Sequence, residues 1–564
     1  MRVAGDGRWR TTVYGLIYLF ASSASGTVAA QQATLDKQEQ LRRAQQLEQK
    51  ETERQEAPFQ TVQPPTQVER LDAPLPKETP CFPLQSLRLE GERLADFPWA
   101  QRYLDRFVGQ CVGRDGLEAL QRRLSNLLIA RGYVTTRVGV PAQDISRGHL
   151  RMLLVPGILR HVRFAEGSPE LDWRTAFPIR EGDLLNLHAI EQGLEQLKRV
   201  PSQDVTMDIA PGEQVGESDV VLTVHTTRRW HVVVDTGDAG LKGTGRYQGN
   251  VNFSLDNPLG WNDLFSIGAG HALFTHPYDG STFSENATYS VPLGWWTFSG
   301  SVSTYRYQQW IEGFNNRFRS TGTSTSSDIT VQRLLTRGTS SKTSLEMRLA
   351  ARSAHSYIQG VEVGIQRQRV ASAELALVHR QYIGQAQIDA RLGYQRGTPW
   401  FGSQWIGYDS QVGYPTNRYG LTTLDLSVSK PLTLGGRQAI WDSSLRMQRS
   451  TDHLPAAELI TIGGRYSVRG FDGEQTLAGE RGAYLRNTLT LPLGMVAPYL
   501  GVDLGRVAGP STQAGHRQLA GAVLGLRGSY SGLSWDLFAG RRIHAPRGFD
   551  SEQPTTGFQL IYQY

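Results

Sequence analysis

The residues best suited to specific chemistry are an arginine and an aspartate, each set among glycines. The run Ile462-Gly463-Gly464-Arg465-Tyr466-Ser467-Val468-Arg469-Gly470-Phe471 breaks the alternating pattern on either side of it and reads as a long loop. Downstream, Leu500, Val502 and Leu504 alternate with Tyr499, Gly501, Asp503 and Gly505, as on a strand with one apolar face. Asp503 then points away from the apolar side, and Gly501 and Gly505 leave room for a loop to come close. Arg469 can make a forked bond to that carboxylate. This chemistry would be electrostatic locking. The plainer alternative leaves both side chains solvated.

Nothing else in the chain suggests bond making. There is no phosphate-binding Gly-x-x-x-x-Gly-Lys-Ser/Thr loop and no His-Glu-x-x-His metal pair. No Gly-x-Ser-x-Gly nucleophile elbow occurs. Gly237, Gly240, Gly243 and Gly245 lack dinucleotide spacing. The reading is therefore a non-enzyme with no catalytic residue, no cofactor and no metal. Cys81 and Cys111 are the two cysteines. An even pair in an exported chain reads as one structural bridge, since a metal site needs more ligands than two. Closing that loop contributes ~3–4 kcal/mol on the chain-entropy account.

The element that positions Arg469 and Asp503 is the C-terminal segment 229–564, 336 residues of alternating stretches separated by turns. Val251, Phe253 and Leu255 interleave with Asn250, Asn252, Ser254 and Asp256. Leu345, Met347 and Leu349 interleave with Glu346 and Arg348, and Leu424, Leu426 and Val428 with Asp425, Ser427 and Ser429. Leu485, Leu489 and Leu491 do the same with Arg486, Thr488 and Thr490. A soluble sandwich alternates too. Nine of the twelve tryptophans lie here, however, and the last strand, Phe558 to Tyr564, ends on an aromatic, as interfacial belts require. An open edge in lipid leaves backbone groups unpaired, so the sheet must close. At roughly 21 residues per strand and connection, the segment predicts about 16 antiparallel strands of a transmembrane β-barrel.

Length and composition agree. The 564 residues suffice for three or four domains at about 150 residues each. Mean hydropathy is −0.37. No mature segment reaches the ~20 apolar residues of a membrane helix, which excludes a helical-bundle transporter. A net charge of +6 is small for this length and gives little support to a nucleic-acid partner.

The N-terminal part divides into four. Arg2, Arg8 and Arg10, an apolar run from Val13 to Ala21 and the small residues Val28-Ala29-Ala30 make residues 1–30 an export signal. Its removal takes away three arginines and Asp6, leaving +6 − 2 = +4. Residues 31–56 are good helix formers with sparse apolar positions at Leu35, Leu41, Ala44 and Leu47. Such a helix stands in water or in a polar cavity; composition alone leans to a disordered tail. Residues 57–80 carry six prolines and read as an extended linker. Two α+β modules follow, at 81–157 and 158–228. In the first, Leu117, Leu120, Leu124 and Leu128 form one helix face, followed by strands at Tyr133–Val140 and Leu150–Val155. The second repeats the order, with Ile190, Leu194 and Leu197 on its helix and strands near Val205–Ile209 and Val220–Val224.

Val468-Arg469-Gly470-Phe471 resembles the VRG(Y/F) loop signature of TpsB transporters of two-partner secretion, and Gly501, Asp503 and Gly505 match that family's inward-facing strand motif. Cys81-Phe82-Pro83, Cys111-Val112-Gly113, Arg131 to Arg137 and Pro211-Gly212-Glu213…Gly216-Glu217-Ser218 are similar to its two POTRA modules. The likeness spans the mature chain. Phe471 keeps the ring of the usual tyrosine and lacks its hydroxyl.

The resemblance implies a plug helix at 31–56, a linker, two periplasmic POTRA modules and a barrel in the outer membrane of a Gram-negative bacterium. A loop at about 459–481 would fold inward and pair Arg469 with Asp503. The partners implied are a secreted TpsA-type exoprotein (adhesin, haemolysin or contact-dependent inhibition toxin), outer-membrane lipid and lipopolysaccharide, and the machinery that inserts barrels. The chain would act as a monomer, without ATP. Passenger capture is expected by strand addition and apolar contact near Leu117, Leu120, Leu124, Leu128, Tyr133, Thr135 and Arg137. Two rivals are a barrel-assembly insertase and a passive porin or receptor. An insertase usually has more POTRA modules and no leading helix, and a porin needs no periplasmic modules.

Overall fold

The structure is a computed structural model that describes residues 37–55, 73–275, 280–313, 316–404, 415–510 and 517–564. The export signal expected at 1–30 lies outside the described residues, as does most of the linker. Five helices matter below: α1 (residues 37–55), α2 (Pro98–Leu104), α3 (Arg114–Ala130), α4 (Trp173–Ala176) and α5 (Leu187–Lys198).

Each N-terminal module is a three-stranded sheet backed by helices. In the first, β1 (Ser86–Gly91), β2 (Arg137–Gly139) and β3 (His149–Val155) lie in the order β1-β3-β2, with β1 parallel and β2 antiparallel to the centre. In the second, β4 (Ile158–Phe164), β5 (Gln203–Pro211) and β6 (Glu217–Thr226) repeat that order and those directions. The leucine stripe of α3 fills the first core beside Phe97, Tyr103, Leu150 and Met152. Ile190, Leu194 and Leu197 of α5 fill the second. The Cys81–Cys111 disulfide is formed and ties the start of the first module to the residues just before α3.

Two expectations change here. The strand expected at Tyr133–Val140 shortens to Arg137–Gly139. The residues before it make the joint between the modules instead. Thr136 Oγ1 accepts the Gly157 N–H at 3.0 Å, Gly132 O accepts the Leu187 N–H at 2.7 Å, and the Asn186 side chain donates to Arg131 O. The end of the linker also has more structure than a tether. Leu75 is buried in the first core. The Glu78 carboxylate accepts the N–H groups of Gly113, Asp115 and Gly116 at the start of α3. It caps a helix whose own N-cap, Gly113, has no side chain for the task.

The barrel has sixteen long antiparallel strands running from Trp230–Gly237 to Thr555–Gln563, plus the two-residue strand Val361–Glu362. First and last strands pair antiparallel from Gln559↔Gly237 to Gln563↔Val233. The closed ring pairs the backbone groups that lipid cannot satisfy. Alternation sorts the faces as the sequence predicts: Leu500, Val502 and Leu504 are 53%, 42% and 52% exposed on the lipid side, whereas Asp503 between them is 0% exposed. Charges meet on the inner wall, as in Arg348–Asp328, Arg391–Glu346, Arg391–Glu374 and Arg446–Asp425.

The second module is bolted to the near rim of the barrel through α5. Arg337 donates to Gln192 Oε1 and Glu195 Oε2 at 3.2 and 2.7 Å, and Lys342 donates to Glu195 Oε1. Arg199 donates to Ser290 and Asn262. Burial at the joint pushes its guanidinium down to about 10, against the pull of Asp263, so it is still charged at neutral pH.

Candidate functional site

The long connection between the strands Arg437–Arg449 and Arg481–Thr490 folds into the lumen. Inside it, Ile460–Ile462 and Leu477–Gly479 pair as a short hairpin. That hairpin holds Ile462 and Leu477 in an apolar cluster with Val468, Phe471, Val507, Leu519 and Phe549. Phe471 meets Phe549 edge to face, with ring centres 5.5 Å apart. Here the ring does the packing, which explains how the chain accommodates Phe471 without a hydroxyl.

Arg469 reaches the wall from the tip of this loop. Its Nε and Nη2 donate to Asp503 Oδ2 and Oδ1, both at 2.7 Å, and its backbone N–H donates to Oδ2 at 2.8 Å. Nη2 also donates to Asn487 O and Thr488 Oγ1. The Asp503 carboxylate is thus held by three donors from one residue, and both side chains are nearly sealed, at 6% and 0% exposed. A fork with this geometry is the strong form of a charge-assisted bond. Removing one partner of a buried pair costs ~3–5 kcal/mol because the other charge is stranded.

The seat is made of missing side chains. A Cβ on Gly501 would lie 2.5 Å from Arg469 Nη2, and one on Gly521 would lie 1.8 Å from Arg469 O. Gly470 has φ +92°, the left-handed region that suits glycine, and Gln553 Nε2 donates to its carbonyl. Of the residues singled out from sequence, Val468, Arg469, Gly470, Phe471, Gly501, Asp503 and Gly505 come together here. Gly521, Thr488 and Gln553 also belong to the seat and were not singled out. Gly521 had a legible signal only through register, as the cross-strand partner of Asp503.

The lumen also holds α1. Its residues bond to the wall and to the loop, mostly through side chains; near its C-terminal end the backbone carbonyls of Arg54 and Gln55 accept from Arg380 and Gln387. Gln38 Nε2 donates to Thr244 Oγ1 and Tyr305 donates to Gln38 Oε1. Arg42 donates to Ser303, Arg486 to Glu48 at 3.1 Å, and Arg352 to Glu39 at 3.5 Å. Lys37, Arg43 and Gln45 reach Glu474, Glu458 and Tyr466 of the inward loop. The polar cavity is the answer to a helix polar nearly all round.

The expected capture residues fare differently. Leu120, Leu124 and Leu128 are 0% exposed, and Leu117 packs against the same core. They hold the module together. Tyr133 meets Phe97 edge to face and stacks on Trp99, over which Arg131 lies. Thr135 lies against Gly157 at the joint between modules. Arg137 is exposed but sits on a strand of three residues. The larger free edge is β1, which borders the sheet opposite β2 and faces a groove against α2 lined by Leu87, Leu89, Gln101, Asp105 and Val108.

Comparison with known proteins agrees with this geometry. Residues 216–528 match the family model of the haemolysin secretion/activation protein ShlB/FhaC/HecB. Residues 82–157 match the ShlB-type POTRA domain, and 158–211 another POTRA domain. The outer membrane transporter CdiB-2 of Burkholderia pseudomallei (strain 1026b) is 40% identical over 512 residues, covering 87% of this chain and 88% of the relative. The hemolysin transporter protein ShlB of Serratia marcescens is 28% identical, with 83% of each covered. The solved structure of CdiB from Escherichia coli superposes with a TM-score of 0.84 at 27% identity, covering 95% of this chain and 99% of that one. With its closed sixteen-stranded barrel and tandem POTRA modules, the chain belongs to the ShlB/FhaC/HecB family and is a TpsB transporter of the outer membrane, its POTRA modules in the periplasm.

Proposed function

We propose that this transporter moves one large TpsA-type exoprotein through its own barrel, without ATP, after α1 has left the lumen. The observation that carries this reading is the seating of α1. A helix is ~10–12 Å across with its side chains, so a lumen that houses one has room for an extended chain when the helix is gone. Every α1 contact named above is a hydrogen bond or ion pair between polar or charged groups, which water can replace. In the resting protein the helix closes the pore, and the Arg469–Asp503 clasp holds the inward loop against the wall while the passage refills.

Capture falls to β1 in place of the α3 leucines. Gln101 of α2 now occupies that edge as a stand-in for a neighbouring strand: its Oε1 accepts the Leu89 N–H at 2.8 Å and its Nε2 donates to Leu87 O at 2.9 Å. A passenger segment adding as a strand would displace this amide and take both bonds.

A lock tests the pore. Cysteines replacing Gln38 and Thr244, whose side chains touch, can be bridged by a bifunctional thiol reagent with a reducible spacer, which joins α1 to the wall. Secretion of the exoprotein is expected to stop in the locked form and to return on reduction, with either single cysteine behaving as wild type. Export by the fully locked form would overturn the reading. General loss of outer-membrane proteins on depletion of the transporter would point to an insertase instead.

A further inference from the structure

Arginines on the inner wall meet carboxylates; at the lipid-facing rim Arg228 meets two rings. Arg228 stands two residues before the first barrel strand, exposed at the periplasmic end. Its guanidinium carbon lies 4.3 Å from the ring centre of Trp230 and 4.3 Å from that of Tyr564. Those rings belong to the first strand and to the chain terminus beside the last, and their centres are 5.8 Å apart. Among the described residues Arg228 has no ion pair and no hydrogen bond. Arg229 next to it is committed to the carbonyls of Asp256 and Asn257. The carboxylate of Asp256 is in turn taken up by the Ser202 N–H and His231. A fixed cation is left over where barrel meets headgroup.

We propose that Arg228, Trp230 and Tyr564 form a binding site for the phosphate of an anionic glycerophospholipid in the inner leaflet of the outer membrane. Stacking on two rings fixes the guanidinium plane and leaves its N–H edge free, the edge that forks onto phosphate oxygens. Val234, Leu560 and Tyr562, exposed by 42%, 37% and 45%, continue from this point along the outer face of the same two strands. They give the acyl chains an apolar track directly below the headgroup. The place is also the seam of the barrel. Five residue pairs close it, the fewest between any two of the long strands. A lipid held by residues on both sides would brace the weakest join of the ring.

The test uses the full mature chain, purified in a neutral detergent and offered phosphatidylglycerol or phosphatidylcholine. Native mass spectrometry counts the lipid retained, and thermal unfolding is followed with each lipid. Wild type should keep one phosphatidylglycerol in preference to phosphatidylcholine and unfold at a higher temperature with it. Arg228→Gln should hold that lipid roughly tenfold or more weakly, the loss of one charge-assisted contact, and lose the thermal shift. Heat-modifiable migration on gels confirms that the variant barrel is folded. Trp230→Phe, which keeps a ring, should retain most of the preference. Equal retention by wild type and Arg228→Gln would overturn the site. Release of the lipid by inorganic phosphate at equal concentration would also overturn it, by showing a phosphate site with no lipid specificity.

Discussion

Two objects share the lumen and are held in opposite ways. The inward loop is fixed by a sealed fork, in which the Arg469 side chain and backbone converge on one carboxylate, and by an apolar cluster around Phe471. Helix α1 is held by single bonds scattered along its length, many to partly accessible groups such as Lys37 and Glu474, 28% and 27% exposed. Breaking the first strands a buried charge. Breaking an accessible pair of the second kind exchanges a protein partner for water, and such pairs contribute about 0–1 kcal/mol; Gln38, buried against Thr244, is the more firmly held exception. The difference matches what the proposed function requires, a loop that stays and a helix that leaves.

Four substitutions probe that contrast. The largest effect belongs to Arg469→Ala, which should loosen the loop by ~3–5 kcal/mol and cut secretion severely while the barrel still reaches the outer membrane. Secretion assayed per folded barrel checks this, and normal export at normal barrel levels would remove the clasp from the mechanism. Next comes Gly521→Ala. Its methyl cannot coexist with the Arg469 carbonyl 1.8 Å away, so overpacking of ~1–3 kcal/mol is expected, with a partial form of the same secretion defect. Protease sensitivity of residues 459–481 should rise in both variants.

How much of this was legible beforehand follows from the same residues. Alternation gave away the faces, and glycines flanking Asp503 marked a close approach. The register that sets Gly521 opposite Asp503, and the fold of Gln553 back onto Gly470, come from pairings distant in sequence. No local pattern announces them. The role of the α3 leucines was not legible because an apolar helix face looks alike whether it meets a core or a guest; burial by the sheet places them in the core.

A smaller effect sharpens the other half of the comparison. Glu48→Ala removes the bond to Arg486 and should change barrel stability by no more than about 1 kcal/mol. It should nevertheless raise the open fraction in single-channel conductance, since α1 loses a tether. A conductance trace identical to wild type would argue that the helix is held more firmly than its bonds suggest.

Smallest of all is Glu78→Gln, a control outside the barrel. Burial pushes the Glu78 carboxyl up, but three backbone N–H bonds outweigh it and hold the group below its ordinary 4.5. A carboxyl lowered in the folded state stabilises above its unfolded value and loses that contribution as the pH falls through the folded one. Wild type should therefore unfold at a higher temperature than Glu78→Gln at neutral pH, and the two should converge in acid. A gap that is independent of pH would mean that the cap does not depend on charge.

By itself the sequence determined the class of the molecule: an exported chain, two α+β modules, and a sheet whose period of two places oil on one side and charge on the other. Those features are local, because a side chain's alternation along a strand or its stripe along a helix needs only its neighbours. Tertiary structure alone decided which polar groups meet. Nearness between Arg469 and Asp503, between α1 and the inner wall, and between Arg228 and the last ring of the chain is set by strand register and barrel closure, and these are fixed only when the whole ring has formed.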